Sequence, residues 1–198
     1  MRGQQRLRSL ELTDCASRVI APIGAVPAHT ALQTLKLAWL SGEQEHVHML
    51  SIVQCLTRHL PKLGQLRSFT FDAPRRFPNW PPAEHANAGK DKELVWTLPS
   101  ATFVNVDLRG LPRVVAPKAT TLLVGVNRDF DKRDAQTAIA SALHSPLVRE
   151  LHLLSFAHDD AQSVDIPTPA GGGKLWPQLE SLTCEFALSA DTLEALKF

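Results

Sequence analysis

The sequence predicts an α/β fold: a curved solenoid with one parallel sheet on its concave side and helical or irregular segments on its convex side. Three observations predict it. A short apolar motif with gaps of three and then two residues recurs seven times along the 198 residues. Neither a helix of period 3.6 nor a plain alternating strand has that spacing, but a strand reached through a turn on one apolar residue does. Some stretches between the motifs carry apolar residues at helical spacing, as an array of strand and crossover requires. A chain that is 44% hydrophobic is also long enough to bury a core running the length of such an array.

The elements follow in order. "LRSLEL" supplies Leu7, Leu10 and Leu12, and "LQTLKL" supplies Leu32, Leu35 and Leu37. A helix is expected next: Ser41 and Gln44 form a capping box, Val47, Leu50, Val53, Cys55, Leu56 and Leu60 cluster at helical spacings, and Pro61 is the stop. "LRSFTF" then supplies Leu66, Phe69 and Phe71. Residues 73–93 hold prolines, Phe77 and Trp80 ahead of a polar tail and read as a long exposed loop, with Trp80 either an interface anchor or a lid on a repeat edge. "PSATFVNVDLRG" from Pro99 aligns with "PKATTLLVGVNR" from Pro117 at an offset of 18 residues, which adds Ala101, Val104, Val106 and Ala119, Leu122, Val124. So short a unit has no room for a helix, and "LRGLPRVVA" is expected to cross back as irregular chain. A second helix runs from its N-cap Asp134 through Ala138, Ile139, Ala142 and Leu143 to a stop at Pro146. "VRELHL" gives Val148, Leu151 and Leu153; 157–174 is a second long loop; "LWPQLESLTCEF" gives Leu179, Leu182 and Cys184; and a third helix starts at "DTLEALKF". Because each unit stacks only on the one before it, all seven strands should lie parallel and in sequence order.

The L-x-x-L-x-L strand is the core pattern of a leucine-rich repeat. With the helix running into "SPLVRELHL" and with "LWPQLESLTCEF", the chain resembles the leucine-rich-repeat portion of fungal-type F-box proteins, which are ribonuclease-inhibitor-like horseshoes. The resemblance implies a single array over 1–198, whole or part of a longer product, that holds the substrate of a ubiquitin ligase. In that family an F-box docks a Skp-type adaptor; none is legible here, since the motif begins at Leu7, so adaptor docking requires an F-box outside this chain.

Charge narrows the partner. The formal net charge is +1, with no dense basic patch to release counterions from nucleic acid or to meet acidic lipid, so neither nucleic acid nor membrane is expected. Three cysteines without a C-x-x-C point to a reducing compartment, and no secretory start or bilayer-length apolar run is visible, so the expected location is cytoplasm or nucleus.

Catalytic readings are the alternative class. His152, His158 and Asp159 could make a metal-dependent hydrolase by lowering the pKa of bound water, but "AHDDA" reads more simply as a solvated loop. Asp129, Asp131 and Asp134 lack the glycine and distal glutamate of an EF-hand and read as a turn and helix cap. "AGGGKLW" has Leu175 where a P-loop needs a hydroxyl, and it reads as a linker. Cys55 and His59 stand one helical turn apart, as a nucleophile pair could, though a small buried thiol beside a helix-end cation is the plainer account. No enzyme activity, cofactor or metal is expected.

The expected site is the outward column of the sheet. In L-x-x-L-x-L-x the leucines point inward and the residues between them outward. The column is Glu11, Lys36, Thr70, Asn105, Leu123, His152 and Thr183. The next outward position gives Thr13, Ala38, Asp72, Asp107, Gly125, Leu154 and Glu185, and the preceding one adds Phe103 and Glu150. A partly basic protein segment is expected to dock there, with Phe103 and Leu123 as buried anchors and the carboxylates setting orientation and on-rate.

Overall fold

A computed structural model describes residues 7–13, 31–38, 46–72, 95–107, 113–126, 141–155, 176–185 and 188–195. The chain is α/β. Strands β1 (Ser9–Thr13), β2 (Thr34–Ala38), β3 (Ser68–Asp72), β5 (Phe103–Asp107), β7 (Thr121–Val126), β8 (Glu150–Ser155) and β9 (Ser181–Cys184) make a seven-stranded sheet in that order, every pair parallel. The motif-bearing segments are thus the seven strands, in the expected order and direction. The register keeps like positions side by side: Leu35 stands opposite Leu10 and Phe69, Val104 opposite Phe69 and Leu122, and Leu151 opposite Leu122 and Leu182.

Two neighbouring inward columns build the core. Leu35, Phe69, Val104, Leu122 and Leu151 are buried in one, and Leu37, Phe71, Val106, Val124 and Leu153 in the other. The residues that open the motif, Leu32, Leu66, Ala101, Ala119 and Val148, are buried as a third. Each buried aliphatic side chain contributes about 1.5–3 kcal/mol relative to exposure. At the edge strands β1 and β9 the inward residues Leu10, Leu12, Leu182 and Cys184 are only partly buried, and Leu7 is 36% exposed, because each has neighbours on one side alone.

Helix α1 (His46–His59) runs into the 3-10 turn Leu60–Lys62, and their buried side chains belong to the same core as the inward columns of the sheet. Val53, Leu56 and Leu60 point into the core, as expected; Ile52, which was not expected, joins them, Cys55 is partly buried, the side chains of Val47 and Leu50 lie outside the described residues, and Pro61 sits within the 3-10 turn that ends the helix. Helix α2 (Ala190–Ala195) matches the third expected helix, and Ser141–Leu143 is the described end of the second. The capping box at Ser41, the N-cap Asp134 and both long loops, 73–93 and 157–174, lie outside the described residues.

One expectation is corrected. The stretch "LRGLPRVVA" does not cross as irregular chain throughout: Arg113–Val115 is a strand, β6, paired in parallel with β4 (Val95–Thr97). Partners Val95 and Arg113, Trp96 and Val114, and Thr97 and Val115 differ by the same 18 residues as the Pro99 and Pro117 units. Two successive units in the same phase, rich in β-branched residues and with too few residues for a helix, bring corresponding extended segments into pairing distance. The ladder continues as Leu98 N–H donates to Val115 C=O at 2.9 Å.

A further repeat, unrecognised in the sequence, lies ahead of the strands. Ala116-Pro117-Lys118-Ala119, Ser145-Pro146-Leu147-Val148 and Trp176-Pro177-Gln178-Leu179 each close a turn in which the N–H of the motif-opening fourth residue donates to the first C=O, at 3.0, 3.1 and 3.1 Å, and Leu63-Gly64-Gln65-Leu66 closes the same turn without proline at 3.0 Å. Proline presets the φ that the second position of such a turn requires. The first residues, Leu63, Ala116, Ser145 and Trp176, are all buried, as is Leu98 before Pro99. A second recurrent bond follows: the C=O of Arg8, Gln33, Arg67, Thr102, Thr120 and Arg149 each accepts two successive N–H groups from the start of the next strand, at 2.7–3.1 Å.

Candidate functional site: the outward face of the sheet

The outward face is built by alternation. Between the inward columns, Glu11, Lys36, Thr70, Asn105, Leu123, His152 and Thr183 form one unbroken register row across all seven strands. Glu11, Lys36 and Thr183 are exposed; Thr70, Asn105, Leu123 and His152 are half-buried. The row toward the strand ends holds Thr13, Ala38, Asp72, Asp107, Gly125 and Leu154, followed by Glu185, whose N–H donates to Leu153 C=O at 3.0 Å. Asp72 and Glu185 are exposed and Leu154 is half-buried, while the side chain of Asp107 lies outside the described residues. Ala38 and Gly125 were expected to be exposed and are buried. A methyl group or a hydrogen, standing between larger neighbours on strands about 4.8 Å apart, is shaded by them.

Polar groups on this face are partly tied together. Lys36 Nζ lies 2.5 Å from Glu11 Oε1, a pair of exposed side chains that contributes little to stability. His152 Nε2 donates to Glu150 Oε1 at 3.0 Å, and Thr121 Oγ1 donates to Glu150 Oε2 at 3.3 Å. Both carboxylate oxygens are therefore held. The hydrogen bond from His152 lowers the Glu150 pKa below the usual carboxylate value; desolvation opposes it, and the charge of His152 and the bond from Thr121 add to the lowering. Thr121 was not among the expected site residues; it stands opposite Glu150 in the register, a neighbour that strand pairing alone identifies.

The apolar residues form a stripe. Phe103 on β5 is 36% exposed, and Leu123 on β7 and Leu154 on β8 are half-buried. Since Phe103 pairs with Thr121 and Leu123 with His152, each apolar residue stands one strand over and two residues on from the last. Diagonal neighbours of this kind are about 7–8 Å apart, within reach of one bound segment.

The enzymatic alternative gains nothing from the geometry. His152 lies on the outward face, whereas His158 and Asp159 lie outside the described residues, as do Asp129, Asp131, Lys174 and Trp80. Among the described residues no group of three or more His, Cys, Asp or Glu is placed to hold a metal ion. Burial raises the Cys55 thiol pKa despite nearby Arg58, and burial, with Lys62 and Arg58, lowers that of His59. A thiol pushed up beside a histidine pushed down is the opposite of an activated thiolate–imidazolium pair. Among the described residues no helix is long and apolar enough to cross a membrane.

Comparison with family models, with curated proteins and with solved structures finds no match to this chain.

Proposed function

We propose that the chain is a non-enzymatic protein-binding module that holds its partner on the outward face of the seven-stranded sheet, and that the sheet belongs to a leucine-rich-repeat-like solenoid with this face concave. Three regularities support the array: parallel strands in sequence order, the recurrent Pro turn before the strand, and the carbonyl that accepts two N–H groups from the next unit. The observation that carries the binding role is the exposed Phe103, with Leu123 and Leu154 continuing its diagonal, on a face otherwise polar. Aromatic and aliphatic side chains that face solvent on rigid strands are suited to anchor a partner, and a continuous sheet holds them without ordering cost.

The narrower form of the proposal is substrate recognition within an F-box-like ubiquitin-ligase subunit in the cytoplasm or nucleus, with a Skp-type adaptor engaged through an F-box outside this chain. The test is affinity capture with the wild-type chain and with a Phe103→Ala, Leu123→Ala double variant. Partners retained by the wild type should be lost by the variant at an unchanged melting temperature, at a cost of about 2 kcal/mol or more for two anchors. Identical capture by the double variant, with loss on Trp80→Ala, would assign binding to the 73–93 segment instead.

A further inference from the structure

The face is not charged like the rest of the chain. Within its three outward rows stand five acidic residues, Glu11, Asp72, Asp107, Glu150 and Glu185, against one lysine, Lys36, in a protein whose formal net charge is +1. That lysine is already paired with Glu11. Three arginines stand just before the strands: Arg149 lies 3.5 Å from Glu180, while Arg67, whose Nη1 donates to Ser100 C=O at 3.5 Å, and Arg8 leave two cations at the opposite end of the strands from Asp72. Carboxylates bracket the apolar diagonal. Asp72, exposed at the end of β3, stands on the Phe103 side, and its row neighbour on β2 is Ala38. Glu150 stands on the opposite side, its oxygens already oriented by His152 and Thr121.

Carboxylates on either side of an apolar stripe favour a partner that brings cations to meet them. The same charge repels polyphosphate chains and acidic lipid surfaces. Resting on the protein-binding reading above, we propose that the partner is a basic protein segment: apolar side chains seated along Phe103, Leu123 and Leu154, with lysine or arginine on either side, one facing Asp72 and another facing Glu150. The long stems of lysine and arginine suit both demands, lying on the leucines while the charged head reaches a carboxylate. Arginine matches the fixed pair of Glu150 oxygens best.

The experiment is selection of a displayed library of random nonapeptides on the full-length chain, followed by anisotropy titration of an enriched peptide. Enriched sequences should combine apolar residues with lysine or arginine. Binding should weaken as salt rises from ~0.05 to ~0.5 M, and Asp72→Asn or Glu150→Gln should each raise Kd about fivefold with melting unchanged. Enrichment of acidic or uncharged peptides that still lose affinity on Leu123→Ala would overturn the basic-partner inference and leave the face as the binding site. Basic peptides indifferent to Leu123→Ala and to both carboxylate changes would overturn both, and so would a selection that enriches nothing.

Discussion

Trp96 ties the two layers of the core together. Its ring meets Phe69 and Phe71 edge-on, with centroids 5.7 and 5.0 Å apart, and its Nε1 donates to Val53 C=O of α1 at 3.4 Å. Trp96→Ala should therefore lose about 3–5 kcal/mol of stability through transfer energy and a cavity, measured by denaturant unfolding. Trp96→Phe keeps an aromatic ring and gives up chiefly the hydrogen bond and part of the volume, so it should cost less than half as much. On the outward face the sensitive residue is Glu150. Its pKa is lowered in the folded state, so whatever stability it lends is present above its unfolded pKa and is lost as pH falls through the folded one. Carbon-detected NMR should find its titration below the usual carboxylate midpoint, and His152→Ala should move it upward. An unmoved midpoint would assign the shift to Thr121 and the surroundings instead. Neither residue's environment was readable from the letters: Trp96 lies beyond the recognised motif, and the Glu150 arrangement depends on a strand partner, Thr121, that is 29 residues away.

At the level of elements, the strands were legible because their spacing is set by local backbone alternation, which the sequence displays directly. The segments behind them were less so. Short extended pieces such as β4 and β6, three residues each, carry no periodicity of their own and become strands only because the two units stack in phase. The turns ahead of the strands were visible as letters but not recognised, since the residue that opens each turn varies among Leu, Ala, Ser and Trp and only its burial is constant. Pro146→Ala should lower stability by about 0.4–1 kcal/mol, because it frees the unfolded chain without removing a bond from the folded one. Ser141→Ala should cost more, about 1–3 kcal/mol, since Ser141 Oγ accepts the buried Val114 N–H of β6 at 2.9 Å and its loss strands that donor. Hydrogen exchange should rank the strands by position: β3, β5 and β7, each paired on both sides and buried inward, slowest, and the edge strands β1 and β9 fastest. Fast exchange in β5 and β7 would contradict a continuous core.

Across the whole molecule, the order of strands and the residues of the outward face followed from one short motif, because parallel stacking in register turns a one-dimensional spacing into a two-dimensional surface. What spacing does not supply is the use of that surface. The diagonal of Phe103, Leu123 and Leu154 and the carboxylates around it emerge only after the strands are laid side by side. The most direct measurement of the central claim replaces single outward residues with a photo-crosslinking amino acid. Positions Lys36, Thr70, Asn105 and Thr183 sample the face; Gln54, Arg58 and Lys118 are exposed away from it, on α1 and on the turn before β7. The account predicts that a bound partner crosslinks from the first set and not from the second. Crosslinking confined to Gln54, Arg58 and Lys118, with the sheet face silent, would contradict it.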